Sequence, residues 1–206
     1  MKKIILHSQK DKWISYFNRS SQKDFYHSWI YHDLDKSGEP LLFVYDDGKN
    51  FVAFPLIKRL IPNTNLFDCS CVYGYSGPIS NTAFKLLPPA FMSKFRRSFL
   101  DYLKSEHVVS VFTRLHPLFD QNVLLTEFGG VHENGNVVVI NLTESIEEQR
   151  AKYKMRWYRK IRQLKQKGFY LKESHDDHDI LTFIDIYRDN MRRVNASENY
   201  MFNEHY

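Results

Sequence analysis

Two β-prone runs, Leu41 to Tyr45 and Phe51 to Leu60, bracket Asp46-Asp47-Gly48-Lys49-Asn50, and this pairing constrains the fold more than any other segment. Asp-Gly tolerates the positive φ of a tight reversal, so the runs read as adjacent antiparallel strands. A third strand runs from Leu66 through Val72. It breaks at Tyr73-Gly74-Tyr75-Ser76-Gly77-Pro78, where glycine and proline end a ladder and leave tyrosines on a loop. Helices flank these strands. Gln9 to Asn18 sets Trp13, Tyr16 and Phe17 near helical spacing, and Pro89 to Ser105 brings Phe91, Phe95, Phe99 and Tyr102 onto one side.

Val108 to Thr113 reads as a strand followed by Arg114-Leu115-His116-Pro117, and Leu124 to His132 and Val137 to Leu142 read as two more around Glu133-Asn134-Gly135-Asn136. Thr143-Glu144-Ser145 opens a long helix to Lys167, stopped by Gly168, with Ile146, Tyr153, Trp157, Ile161 and Leu164 as its apolar seam. Phe169 to Lys172 follows as a short strand and Asp179 to Arg193 as a further helix. The order predicts an α/β (α+β) fold, a mixed sheet covered by helices, over residues 1–142. A helix, one strand and another helix cannot close a sheet, so residues 143–206 read as the opening of a second, incomplete domain.

Composition adds exclusions. In 206 residues, 43% hydrophobic and 26% charged content suits a globular chain, and 16% aromatic content suits a ring-rich core. After Met1-Lys2-Lys3 the apolar stretch Ile4-Ile5-Leu6 is too short for a secretory signal. No segment approaches the roughly 20 apolar residues of a membrane helix, so a cytoplasmic protein is expected. Cys69 and Cys71 lie two apart on a strand and aim in parallel, which disfavours a disulfide, and no second cysteine or histidine pair supplies zinc spacing. A net charge of +5 permits an anionic partner without demanding one.

Candidate chemistry collects on two features. The strand ending before Gly74 and the one ending at Thr113 are joined by the Phe91-to-Tyr102 helix, and such a crossover returns the second strand parallel to the first. Tyr75 then comes close to Arg114 and His116, a ring for a sugar or peptide beside a guanidinium for phosphate or carboxylate. The alternatives are rings that plug the sheet end, with Tyr73 expected in the core, and an ordinary salt bridge and capped turn for Arg114 and His116. The second feature is the basic helix, where Arg156, Arg159, Lys160 and Arg162 suit a diphosphate-linked precursor, phospholipid heads or tRNA, or form a solvated face. His175, Asp176, Asp177, His178 and Asp179 look metal-like, but Asp at a helix start caps free N–H groups, and no metal site is assigned. No glycine turn of the kind that holds an acyl-CoA pyrophosphate introduces a helix, so no cofactor is expected in this chain. No nucleophile arrangement is recognisable from spacing.

Phe25-Tyr26-His27-Ser28, Ala53-Phe54-Pro55-Leu56-Ile57, Asp68 through Pro78, Arg114-Leu115-His116-Pro117-Leu118 and the Arg156-to-Lys167 helix ending in Lys-Gly fall in a familiar order. Together they resemble the amino-terminal portion of Fem-type peptidoglycan-bridge aminoacyltransferases, a GNAT-like acyltransferase family. The resemblance implies tandem GNAT-like domains that transfer an acyl or aminoacyl group to an amine or hydroxyl of a cell-envelope precursor, sugar–peptide or lipid-linked. The donor, acyl-CoA or aminoacyl-tRNA, would be handled by a carboxyl-terminal half. This chain would supply mainly the acceptor side and be inactive alone, with tRNA and an anionic membrane surface as further partners. The competing reading is a non-catalytic anion- or RNA-binding module.

Overall fold

The computed structural model describes residues 1–202, the side chain of Asn199 apart, and divides into a compact unit Met1–Asn134 and a second unit from Gly135 onward. The first unit is mixed α and β. Strands β1 (Lys2–Leu6), β2 (Glu39–Asp46), β3 (Phe51–Leu60), β4 (Phe67–Ser70), β5 (Ile79–Ser80) and β6 (Val108–Val111) form one sheet. Its order is β1-β2-β3-β4-β6, with β5 also on β3. Every pairing is antiparallel except β4 with β6. The parallel return expected across the intervening helix, α3 (Pro89–Ser105), is therefore present.

The expected hairpin centres on β2 and β3, which pair from Glu39↔Lys58 to Asp46↔Phe51. Gly48 takes φ +92, and the carboxylates of Asp46 and Asp47 accept the Gly48, Lys49 and Asn50 N–H groups, closing the turn from its own side chains. Strand alternation then sorts the core into two layers. Leu41, Phe43, Val52, Phe54 and Leu56 face Phe91, Phe95, Phe99 and Tyr102 of α3, while Leu42, Val44, Phe51 and Ala53 share a cluster with Trp13 and Tyr16 of α1 (Lys10–Arg19). Phe43 lies at the centre of the first layer, 4.8 Å from the Phe99 ring and 5.3 Å from Tyr102. Pro55 is tolerated inside β3 because β5 pairs only Val52 and Ala53 and pairing with β4 starts only at Ile57, leaving that side unpaired between them.

Two elements carry no sequence expectation, the edge strand Lys2–Leu6 and the short helix α2 (Trp29–Asp33), and several expectations fail locally. Leu124 to His132 is not a strand: it holds α4 (Asn122–Leu125) and a 3-10 turn (Thr126–Phe128). Leu124 is buried and Leu125 and Phe128 pack beside it, which is helical spacing, and Gly129 and Gly130 at positive φ end the segment. Val137 to Leu142 forms no strand and lies exposed, with Asn141 Oδ1 receiving the Thr143 N–H in a local turn.

In the second unit the single helix expected over 143–167 is two, α5 (Ile146–Ala151) and α6 (Met155–Gln166). Ser145 caps α5 in a capping box with Glu148, and Tyr153 N–H turns back to Arg150 O instead of continuing the helix. Gly168, at φ +82, follows α6 as expected. Phe169 to Lys172 is exposed and irregular rather than a strand. Helix α7 (Asp177–Arg193) begins where Asp176 accepts the His178 and Asp179 N–H groups, the capping role expected of that acidic cluster. Among the described side chains of this unit none is buried.

Candidate functional site

The parallel strands β4 and β6 stay together beyond their ladder. Phe112 N–H bonds Cys69 O at 2.9 Å, Ser76 N–H bonds Arg114 O at 2.8 Å, and Ser76 and Leu115 form a parallel bridge. This join brings the Tyr73-to-Pro78 loop against the Arg114-to-Pro117 loop, so Tyr75 lies 6.2 Å, ring to ring and edge-on, from His116. Tyr26 meets the other side of Tyr75 at 6.1 Å.

A buried polar frame fixes the join. Gln121, fully buried, accepts the His116 N–H at 2.6 Å and donates to the Ser76 and Pro78 carbonyls at 2.9 Å each. His27 Nδ1 accepts the Asp24 N–H, so its proton sits on Nε2 and is donated to Ser76 O at 3.1 Å. Burial holds the His27 imidazole down at about 4, and burial does the same to His32. Two glycines are required here. Gly77 has φ +88 and a Cβ would meet Gln121 Oε1 at 2.6 Å; Gly74 has φ +109 and a Cβ would strike the Tyr26 ring.

His116 belongs to this frame. Its Nδ1 accepts the Leu118 N–H at 3.2 Å, its Nε2 pairs with Asp24 Oδ2 at 3.0 Å, and its ring stacks on Phe119 at 3.8 Å. Only 7% exposed, it has no ring nitrogen left for a ligand and serves to hold the loop. Arg114 is different: it is exposed, has no carboxylate partner among the described residues, and lies 5.6 Å from the Tyr73 ring centre. Tyr75 is 38% exposed, and Tyr73, expected in the core, is 47% exposed because the loop lifts off the sheet after the buried Val72. The outward surface of the join is therefore two tyrosine rings and a guanidinium. The Ser76 and Thr113 hydroxyls at the join are buried without a hydrogen-bond partner among the described residues.

Asp24, Tyr26, His27 and Gln121 were not singled out as functional from the sequence. The contacts of Asp24 with His116 and of His27 with Ser76 span 92 and 49 residues, and no local spacing announces them.

The cationic candidates Arg156, Arg159, Lys160 and Arg162 all lie exposed on α6 in the second unit. The helix Met155–Gln166 contains no acidic residue. A separate opening of about 650 Å³ lies between β1 and α1. Lys3 donates to Tyr16 and Asp46 across its floor, and its three cations face two carboxylates, so it offers little net charge. Cys69 and Cys71 are both free thiols, and burial pushes Cys69 up to about 11. Among the described residues no three His, Cys, Asp or Glu side chains gather as metal ligands, and no helix is long and apolar enough to cross a membrane.

Compared with protein-family models, with curated proteins and with solved structures, the chain matches none.

Proposed function

We propose that the Met1–Asn134 unit is a GNAT-like, Fem-type domain that binds the acceptor of a cytoplasmic acyl or aminoacyl transfer, a sugar–peptide or lipid-linked cell-envelope precursor. The observation that carries this reading is the backbone join between Ser76 and Arg114, with Tyr73, Tyr75 and Arg114 outward over a buried frame. Ligands of open α/β sheets sit at the carboxyl ends of parallel strands, and β4 and β6 are the parallel pair. A tyrosine ring offers a sugar or peptide a flat apolar face, and an unpaired guanidinium offers phosphate or carboxylate a bidentate partner. In this reading His116 positions Tyr75 rather than touching the acceptor. The donor, acyl-CoA or aminoacyl-tRNA, has no assigned site in these residues.

The test is titration calorimetry with a nucleotide-linked muramyl peptide. Loss of one charge-assisted hydrogen bond is worth about 1.5–3 kcal/mol, so Arg114→Ala should weaken binding about tenfold or more while Tm stays nearly constant. Unchanged affinity with a fall in Tm would make Arg114 structural and remove the pocket.

The second reading, a non-catalytic anion- or RNA-binding module, is favoured by one observation, the absence of any acidic residue from α6. It requires RNA binding that survives Arg114→Ala and weakens steeply with salt.

A further inference from the structure

Helix α6 combines two properties that solvent alone does not explain. Trp157, Ile161 and Leu164 are 50%, 42% and 41% exposed, and the same helix carries Arg156, Arg159, Lys160, Arg162 and Lys165 with no acidic residue of its own. At 3.6 residues per turn the three apolar side chains fall in a stripe roughly 60° wide, and Lys160 and Lys165 lie about 70° to either side of its centre. The three arginines lie on the remaining arc together with Met155, Tyr158, Gln163 and Gln166. Arg156 and Lys160 also stand over the Trp157 ring, at 5.3 and 5.9 Å from its centre.

We propose that α6 docks lengthwise on an anionic phospholipid surface, with Trp157, Ile161 and Leu164 at the acyl boundary and Lys160 and Lys165 at the headgroups. A lysine beside an apolar stripe can bury its methylene stem and still raise its ammonium to a phosphate. Tryptophan with flanking cations suits the interface, where an apolar body and a polar rim are both satisfied. The helix is about 18 Å long, too short to span the roughly 30 Å hydrocarbon layer, so it lies in the plane of the surface. RNA would neutralise the cations but leave the Trp157 stripe in water; an anionic lipid surface satisfies both. The inference stands on α6 and not on the acceptor pocket.

The experiment is co-sedimentation of the chain with phosphatidylcholine vesicles, with and without phosphatidylglycerol. Binding should require phosphatidylglycerol and shift the Trp157 emission to the blue, identified by its absence in Trp157→Phe. Ile161→Asp and the pair Lys160→Glu with Lys165→Glu should each lower the partition about tenfold or more, because each attacks one of the two contributions. All three positions are exposed, and helicity by circular dichroism confirms that the variants remain folded. Arg114→Ala should leave vesicle binding unchanged, which separates failure of the acceptor reading from failure of this one. No dependence on phosphatidylglycerol overturns the proposal. So does full binding by Ile161→Asp with equal affinity for RNA, which would make α6 a general polyanion surface.

Discussion

Helices α3 and α6 both carry an apolar stripe at helical spacing, yet α3 buries Phe91, Phe95, Phe99 and Tyr102 while α6 leaves Trp157, Ile161 and Leu164 about half exposed. The difference lies in what each helix meets. The α3 stripe faces a sheet whose strands β2 and β3 present Leu41, Phe43, Val52, Phe54 and Leu56 on the same side. No buried layer stands opposite α6 within its own unit, where no described side chain is buried. The polar faces differ too: α3 mixes Lys94, Arg96 and Arg97 with Asp101, whereas α6 carries cations and two glutamines and no carboxylate. Periodicity therefore establishes that a helix has an apolar face, and the composition of its other face constrains what can cover it.

The largest effect expected from this contrast is in the core. Phe43→Ala removes a ring packed on Phe95, Phe99 and Tyr102 and should cost about 3–5 kcal/mol in denaturant unfolding. Ile161→Ala, on the exposed stripe of α6, should stay within about 0.5 kcal/mol. Equal losses at the two positions would mean that α6 is buried in solution, and would break the comparison.

An effect smaller per residue tests the polar part of the same core. His27 and His32 are held at about 4 by burial, below the ordinary 6.5. As pH falls from 6.5 toward 4 the unfolded chain takes up protons that the folded imidazoles refuse. Stability from this source is therefore complete above about 6.5, declines across that window and levels off below 4, by roughly 3 kcal/mol per histidine. Urea unfolding at a series of pH values should show the decline. His32→Phe, which keeps a ring against Trp13 at the 4.9 Å contact, should retain about half of it. A pH-independent midpoint would show that these rings are solvated.

Legibility in the sequence followed how local each determinant was. The Asp46-to-Asn50 turn, the α3 stripe and an aspartate cap before α7 are encoded within a few residues; the turn and stripe formed as read, and the cap falls at Asp176 because α7 starts at Asp177, two residues ahead of the expected Asp179. The β4–β6 crossover was also readable, because the handedness and direction of a strand–helix–strand unit leave little choice. Leu124 to His132 misled because a short apolar run fits either period, and contact with the α3 layer decided for helix. Val137 to Leu142 misled for a different reason: strand propensity forms no strand without a neighbouring ladder. In the candidate site, Tyr75 and Arg114 were visible because glycine, proline and strand ends flag loops. The frame was not, since Asp24, His27 and Gln121 reach their partners across 92, 49 and 45 residues.

That frame allows a finer cut, inside the first unit. Gln121 joins three backbone groups of two loops, and Gln121→Ala leaves the buried His116 N–H and Pro78 carbonyl without this partner, while Ser76 O keeps its bond from His27. An unsatisfied buried amide costs about 1–3 kcal/mol, so global stability should fall by roughly 2 kcal/mol if the loops unfold with the sheet. Gln121→Glu should be worse at neutral pH, because a carboxylate would then oppose the Ser76 and Pro78 carbonyls with no proton to offer either. The decisive measurement pairs denaturant unfolding with hydrogen exchange at the Ser76 amide, which is bonded to Arg114 O. A global loss with exchange faster by the matching factor would extend the cooperative core of α3 and the hairpin out to the Tyr75–Arg114 join. Faster exchange at Ser76 with an unchanged midpoint would instead set the boundary at Val72, leaving the join a separately opening segment that an acceptor must order on binding.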